Sequence, residues 1–207
     1  MSDYTPEPAM RVFARELQET TQELDLGGGD MSANYFLLPS GEKVNRMFVV
    51  GTIISDECIT HREEYSMYNA YLSDTTEDRS RVYFTAGEYA PDTVTSTLRQ
   101  LDEDGNYPYR VALKGKVDTY EKDDGEVLVS LRPETLINLS AEDNGRQLQR
   151  QWLYETLDQT IGRFDAEEGD RVENGVDLVE AAKTHYPEVR EELREDLLEI
   201  AERQADA

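Results

Sequence analysis

Apolar and polar positions alternate along this chain in five runs, at 44–54, 65–73, 81–85, 109–120 and 126–139. A period of two is the signature of strands with one buried face. One run breaks the rule: over 92–101 the apolar residues Val94, Leu98 and Leu101 are spaced by four and three, which predicts a helix. Turn residues fall between the runs, with Ser40-Gly41 before the first, Asp74-Thr75-Thr76 before the third and Asp104-Gly105-Asn106 before the fourth. Asp123-Asp124-Gly125, before the fifth, is a strong hairpin signal.

Helical spacing dominates outside this region. Thr5-Pro6 reads as an N-cap followed by a first-turn proline, and Met10, Phe13, Leu17 and Leu24 recur at near-helical intervals up to Gly27-Gly28-Gly29. The triple glycine predicts a hinge and not a phosphate loop, because no strand precedes it and no Gly-Lys-Ser/Thr follows. Arg11 and Arg15, four apart, share one solvated helix side. After the strands, Ser140 and Asp143 form a capping-box pattern for a helix to about Phe164. Its stripe of Leu148, Trp152, Leu153, Leu157, Ile161 and Phe164 must bury against the strands, with Trp152 as a core residue. Residues 165–175 are polar and glycine-punctuated and read as a linker. Two helices split at Pro187 follow, the second carrying Val189, Leu193, Leu197 and Ile200 as one apolar stripe on an acidic body, the form of a helix that docks a partner.

Three strands, a helix and two strands is the order of an OB-type barrel, whose helix plugs the barrel between its third and fourth strands. The predicted class is therefore mainly β with flanking helices (α+β). The predicted divisions are 1–30, N-terminal helix and glycine hinge; 31–140, a five-stranded OB-fold barrel; 141–165, a packing helix; and 166–207, an acidic linker with a helical tail.

Charge changes the picture of the surroundings more than that of the fold. Among 207 residues, 45 Asp and Glu face 21 Lys and Arg, for a net −24. The cations comprise 16 arginines and 5 lysines, and the acids are spread along the chain. This is the pattern of adaptation to molar intracellular salt: carboxylates hold water and cations, while at roughly 1 M salt the Debye length falls to about 3 Å and self-repulsion is screened. Cys58 is alone, which excludes an intramolecular disulfide, and His61 and His185 lack metal-ligand spacing. No apolar stretch has the length of a membrane span, and the acidic N-terminus is unlike a signal peptide, so a cytoplasmic protein is expected.

The candidate chemistry lies on the second and third strands. With Ala70 and Leu72 pointing inward, Asn69 and Tyr71 face outward; with Val82 and Phe84 inward, Arg81 and Tyr83 do the same. Two aromatics and an arginine on neighbouring strands make a platform on which bases stack. Lys114, Lys116 and Arg132 on later strands are placed to meet phosphates. Tyr65, Tyr68, Tyr89 and Tyr109 are secondary candidates, since tyrosine is also simply a good strand residue. Asp56-Glu57, Asp123-Asp124 and Asp102 with Asp104 are the carboxylate pairs a metal would use, but so acidic a chain produces such pairs by chance. The glycine, serine and histidine motifs of nucleotide binding, hydrolysis and zinc proteolysis are missing from the sequence. No enzyme activity, cofactor or metal is expected.

KVNRMFVVG at 43–51, TAGEYAP at 85–91 and SLRPE at 130–134, taken together, resemble the replication protein A-associated proteins of halophilic archaea, over roughly 8–165. The resemblance implies an OB-fold protein encoded beside replication protein A subunits and working in single-stranded DNA maintenance, replication and repair. It carries over no catalytic residue. Where that family commonly has arginine-like residues on the second strand, this chain has Asn69 and Tyr71, which shifts the expected binding mode from phosphate attraction towards stacking. The resemblance also implies a replication protein A subunit as partner and a hetero-oligomer, with Val189, Leu193, Leu197 and Ile200 as the expected docking stripe. The alternative is an interaction subunit whose barrel supports that partner without touching DNA.

The acid excess has a direct consequence. Unscreened repulsion among the charges of a net −24 chain opposes compaction, so the thermal midpoint should rise as KCl goes from about 0.1 M to about 2 M. A midpoint flat over that range would contradict the salt adaptation.

Overall fold

The structure, a computed structural model, describes residues 8–26, 34–74, 80–121, 125 and 127–205. Thr5-Pro6, the glycines at 27–29, Thr75-Thr76 and Asp123-Asp124 lie outside the described residues. The chain opens with β1 (Met10–Arg11), α1 (Ala14–Gln18), β2 (Gln22–Leu24), β3 (Tyr35–Leu37) and β4 (Lys43–Val44). The predicted strand region follows as β5 (Arg46–Ile53), β6 (Ile59–Arg62), β7 (Met67–Ser73), β8 (Arg81–Ala86), α2 (Asp92–Asp104), β9 (Tyr109–Glu121) and β10 (Val127–Asn138). It ends with α3 (Gly145–Phe164), β11 (Val172–Glu173), β12 (Val176–Asp177), α4 (Leu178–His185) and α5 (Pro187–Ala205). The molecule is thus α+β, and all five alternating runs are strands.

The main sheet runs β1-β5-β9-β10-β8-β7-β6, and a further pairing joins β5 to β7 at Thr52↔Ser73. The pairings therefore return on themselves: β5 to β7, β7 to β8, β8 to β10 in parallel, β10 to β9, and β9 back to β5. Alternation along each strand fills the inside of this ring with Met47, Val49, Leu72, Phe84, Leu113 and Leu131, all at most 1% exposed. α2 adds Val94, Leu98 and Leu101 to the same core. Gly51 lies where β5, still paired with β9, comes against β7; a Cβ there would lie 2.5 Å from the Ser73 carbonyl oxygen, so only glycine fits.

Four expectations are corrected. The N-terminal helix is short, because Met10 and Arg11 pair with β5 as a strand and Gln22 to Leu24 pair with β3; only Ala14–Gln18 is helical between them. Arg11 and Arg15 are not a free solvated face, since they pair with Glu155 and with Asp196 and Glu192. The Ser140–Asp143 capping box does not form: Leu139–Ala141 is a 3-10 turn in which the Asn138 side chain accepts from the Ser140 amide, and α3 starts later. The 165–175 linker is an ordered segment, where Asn174 and Gly175 both take positive φ between β11 and β12, a tight hairpin turn. Lys43 and Arg171 fasten it through Glu173 and Glu42.

The C-terminal stripe is corrected too. Leu193 and Leu197 are 4% and 6% exposed within the main core, and Val189 and Ile200 pack on it, so this chain covers the surface expected to dock a partner. A buried polar knot holds the arrangement. Arg163 donates to Glu16 at 3.0 Å, to Ser40 at 3.0 Å and to Thr160 at 2.8 Å, while Glu16 also accepts from the Ser40 amide. Arg190 donates to the Pro39 carbonyl and lies over Phe164. Tyr186 and Leu178 of the tail pack with Leu37 in a second cluster.

Two stability measurements follow. Gly51→Ala should lower stability by about 1–3 kcal/mol, the usual range for overpacking, whereas Gly162→Ala on the open side of α3, with nothing within 4 Å, should be neutral or stabilising. Equal effects would remove the steric role of Gly51. Leu193→Asp with Leu197→Asp should cost at least ~3 kcal/mol, from two buried leucines at roughly 1.5–3 kcal/mol each; an unchanged denaturation midpoint would free the helix again for a partner.

Candidate nucleic-acid interface

β7 and β8 are antiparallel in a register that sets Asn69 opposite Thr85, Tyr71 opposite Tyr83 and Ser73 opposite Arg81. Tyr68, Ala70, Leu72, Val82 and Phe84 point into the core, which turns Asn69, Tyr71, Arg81 and Tyr83 outward as the alternation predicts. The Tyr71 and Tyr83 ring centroids are 5.6 Å apart at 48°, and the Arg81 guanidinium lies 4.6 Å from the Tyr71 ring centre. Tyr83 is 43% exposed, so its ring offers area to a ligand. Thr85 donates to the Asn69 side-chain oxygen at 3.0 Å, which fixes that amide at the end of the row.

Tyr71 is also held from below. The turn after β5 brings Cys58 under it, and a hydrogen bond with Cys58, followed by burial, raises the Tyr71 phenol above its ordinary pKa. Burial pushes the Cys58 thiol up, but hydrogen bonds from Tyr71 and Ser55 outweigh it and leave the thiol below its ordinary value. A hydrogen bond with Tyr83, ahead of the attraction of Tyr71, raises the Arg81 guanidinium. The three outward side chains are packed on one another, ring beside ring and guanidinium over ring.

Lys114, Lys116 and Arg132 lie on the outer side of β9 and β10. Lys116 is opposite Arg132 on one side and Arg46 on the other, so three cations cross neighbouring strands in one row. Arg132 pairs with Asp118 at 2.7 Å and Lys114 with Glu134 at 3.8 Å, while Lys116 has no ion pair among the described residues. The parallel pairing Leu131↔Phe84 places Arg132 next to Thr85 and Ser130 next to Tyr83 in register. The two groups predicted separately from sequence are thereby joined round one outer surface.

Sequence reading overlooked Arg46, which donates to Glu134 at 2.8 Å, and Tyr120, which is 64% exposed opposite Leu128 on the β9–β10 hairpin. The alternation through Lys114, Lys116 and Asp118 already marks Tyr120 as outward. Of the secondary tyrosines, Tyr65 and Tyr89 are exposed, whereas Tyr68 stacks on His61 and the Tyr109 hydroxyl accepts from the Asn106 amide. Among the described residues no three His, Cys, Asp or Glu side chains gather to hold a metal, and no helix is long and apolar enough to cross a membrane. A separate cleft of about 440 Å³, lined by Phe13, Thr52, Arg146, Trp152, Leu193 and Leu197 among others, includes none of the nucleic-acid candidates.

No protein-family model matches the chain, and no curated protein does. Solved structures with which it shares similarity include a mitochondrial single-stranded DNA binding protein from S. cerevisiae, Rim1, at 18% identity over 46% of this chain and 94% of that one, with a TM-score of 0.32. Another is the S. pombe Stn1-Ten1 complex, at 11% identity over 62% of this chain and 82% of that chain, with a TM-score of 0.42. These likenesses are distant, and the strand pairings themselves define the fold.

Proposed function

We propose that this chain is an OB-fold protein, a closed five-stranded barrel with flanking helices, that binds single-stranded DNA on the outer side of β7 and β8 without catalysis. The strand order supports the fold: first to second, second to third, third to fifth in parallel, fifth to fourth and fourth back to first. The observation that carries the binding reading is the outward Tyr71–Tyr83 pair with Arg81 lying over it. Every base has a π-face, so such a platform takes single strands without sequence readout. Lys114, Lys116 and Arg132 supply phosphate contacts along the same surface, and Asn69 offers its amide.

The biological setting is a halophilic archaeal cytoplasm, where the protein works with a replication protein A subunit in DNA replication and repair. The net −24 charge supports the first part, and the motifs at 43–51, 85–91 and 130–134 support the second. The docking surface lies elsewhere than the α5 stripe. A second reading, an interaction subunit that supports its partner without touching DNA, draws on the acidic surface and on the carboxylates already paired with Lys114 and Arg132.

Stacking separates the two readings. Phosphate attraction to single strands falls with salt at a slope of about −0.7 per contact, so molar salt largely disables it, while stacking survives. Tyr71→Ala and Tyr83→Ala should each weaken oligo-dT binding by about 1–3 kcal/mol at high salt, with Tyr71→Phe close to wild type, as read by fluorescence anisotropy. Wild-type protein that binds no oligonucleotide, or alanine variants that bind as tightly as wild type, would remove this face from the function.

A further inference from the structure

We propose that Arg46, Lys114, Lys116 and Arg132 form a phosphodiester-binding row beside the tyrosine platform, and that Glu134 is its built-in competitor, displaced when a nucleic-acid backbone enters. This rests on the single-strand reading above and adds to it Arg46 and a device that regulates the cations.

The register carries the first half. Arg46, Lys116 and Arg132 occupy one line across β5, β9 and β10, on strands about 4.7–4.9 Å apart, and Thr85 and Asn69 continue that line across β8 and β7. Like charges so close repel one another, and the carboxylates paired with them are Asp118 and Glu134. Four cations against Asp118 and Glu134 also leave a local positive excess in a chain of net −24. Such an island draws an anion from solution.

The backbone at Glu134 carries the second half. β9 and β10 run in continuous register until Pro133↔Gly115, and the next pair is Thr135↔Lys114. Glu134 is the extra residue of a β-bulge, a device that re-aims a side chain, and Pro133 before it has no amide to lose from the ladder. Re-aimed in this way, one carboxylate spans two cations: Oε1 accepts from Arg46 Nε at 2.8 Å and Oε2 lies 3.8 Å from Lys114 Nζ. Its side chain remains 25% exposed, so solvent and ligands reach it. A phosphate oxygen makes the same charge-assisted bonds to guanidinium and ammonium as a carboxylate oxygen. The occupied row is therefore the ligand-free state, with Glu134 standing where a phosphate sits in the complex.

The test uses the full chain and oligo-dT, with affinity followed over a series of KCl concentrations. Glu134→Gln should bind more tightly than wild type, and its plot of log affinity against log salt should steepen by about 0.7 for each cation released to phosphate. Arg46→Gln should weaken binding and flatten the plot by about 0.7, which keeps the proposal open to refutation if Glu134→Gln folds poorly. Glu188→Gln, the same charge change at an exposed site on α5, controls for net charge. Inorganic polyphosphate, which has no bases to stack, reports on the row alone. If Glu134→Gln and Glu188→Gln match in affinity and slope for both ligands, Glu134 is no competitor and the proposal falls, whatever the tyrosine variants show. If Glu134→Gln tightens polyphosphate binding while no form binds oligo-dT, the row stands and the single-strand reading fails.

Discussion

The arrangement depends on β5 serving two neighbours. It pairs along its whole length with β9, and at Thr52, beside Gly51 where no side chain fits, its other edge also meets β7. That one pairing turns a sheet into a ring. Once the ring is closed, side chains can only alternate inside and outside, and the inside is filled by large apolar residues. Tyr71, Tyr83 and Arg81 face outward together because Leu72, Val82 and Phe84 face inward. Arg46, Lys116 and Arg132 share a row for the same reason. The candidate interface is a by-product of core packing, with its chemistry set only at the outward positions.

Charge bears on the proposed binding. A chain of net −24 repels a polyanion at long range, and molar salt screens that repulsion and phosphate attraction alike. Contact with bases through ring faces is not weakened in that way, and Arg81 adds a cation over Tyr71 without needing a phosphate. The cations of β5, β9 and β10 are kept at close range and partly neutralised by their own carboxylates.

The five strand runs and α2 were legible in the sequence because period-two runs and the spacing of Val94, Leu98 and Leu101 report burial directly. The outward face of Asn69, Tyr71, Arg81 and Tyr83 was legible for the same reason, since it follows from alternation. What failed was anything set by long-range contact. Met10, Phe13 and Leu17 fit a helix by spacing, but pairing with β5 draws the first of them into a strand. The stripe on α5 announces burial and is silent on what covers it; the partners of α5 lie as far off as Pro39, whose carbonyl accepts from Arg190 151 positions away. Asn174-Gly175 was a readable hairpin signal, hidden in an acidic stretch with strands only two residues long. The bulge at Glu134 has no signature of its own beyond the proline before it.

The most direct test of the central claim is to photo-crosslink a bromodeoxyuridine-substituted single strand to the wild-type protein in high salt and map the adducts by mass spectrometry. Stacking on the platform predicts adducts on Tyr71 and Tyr83, within the peptides of β7 and β8. Adducts confined to α3, α4 or α5, or none at all with a bound strand, would contradict the account.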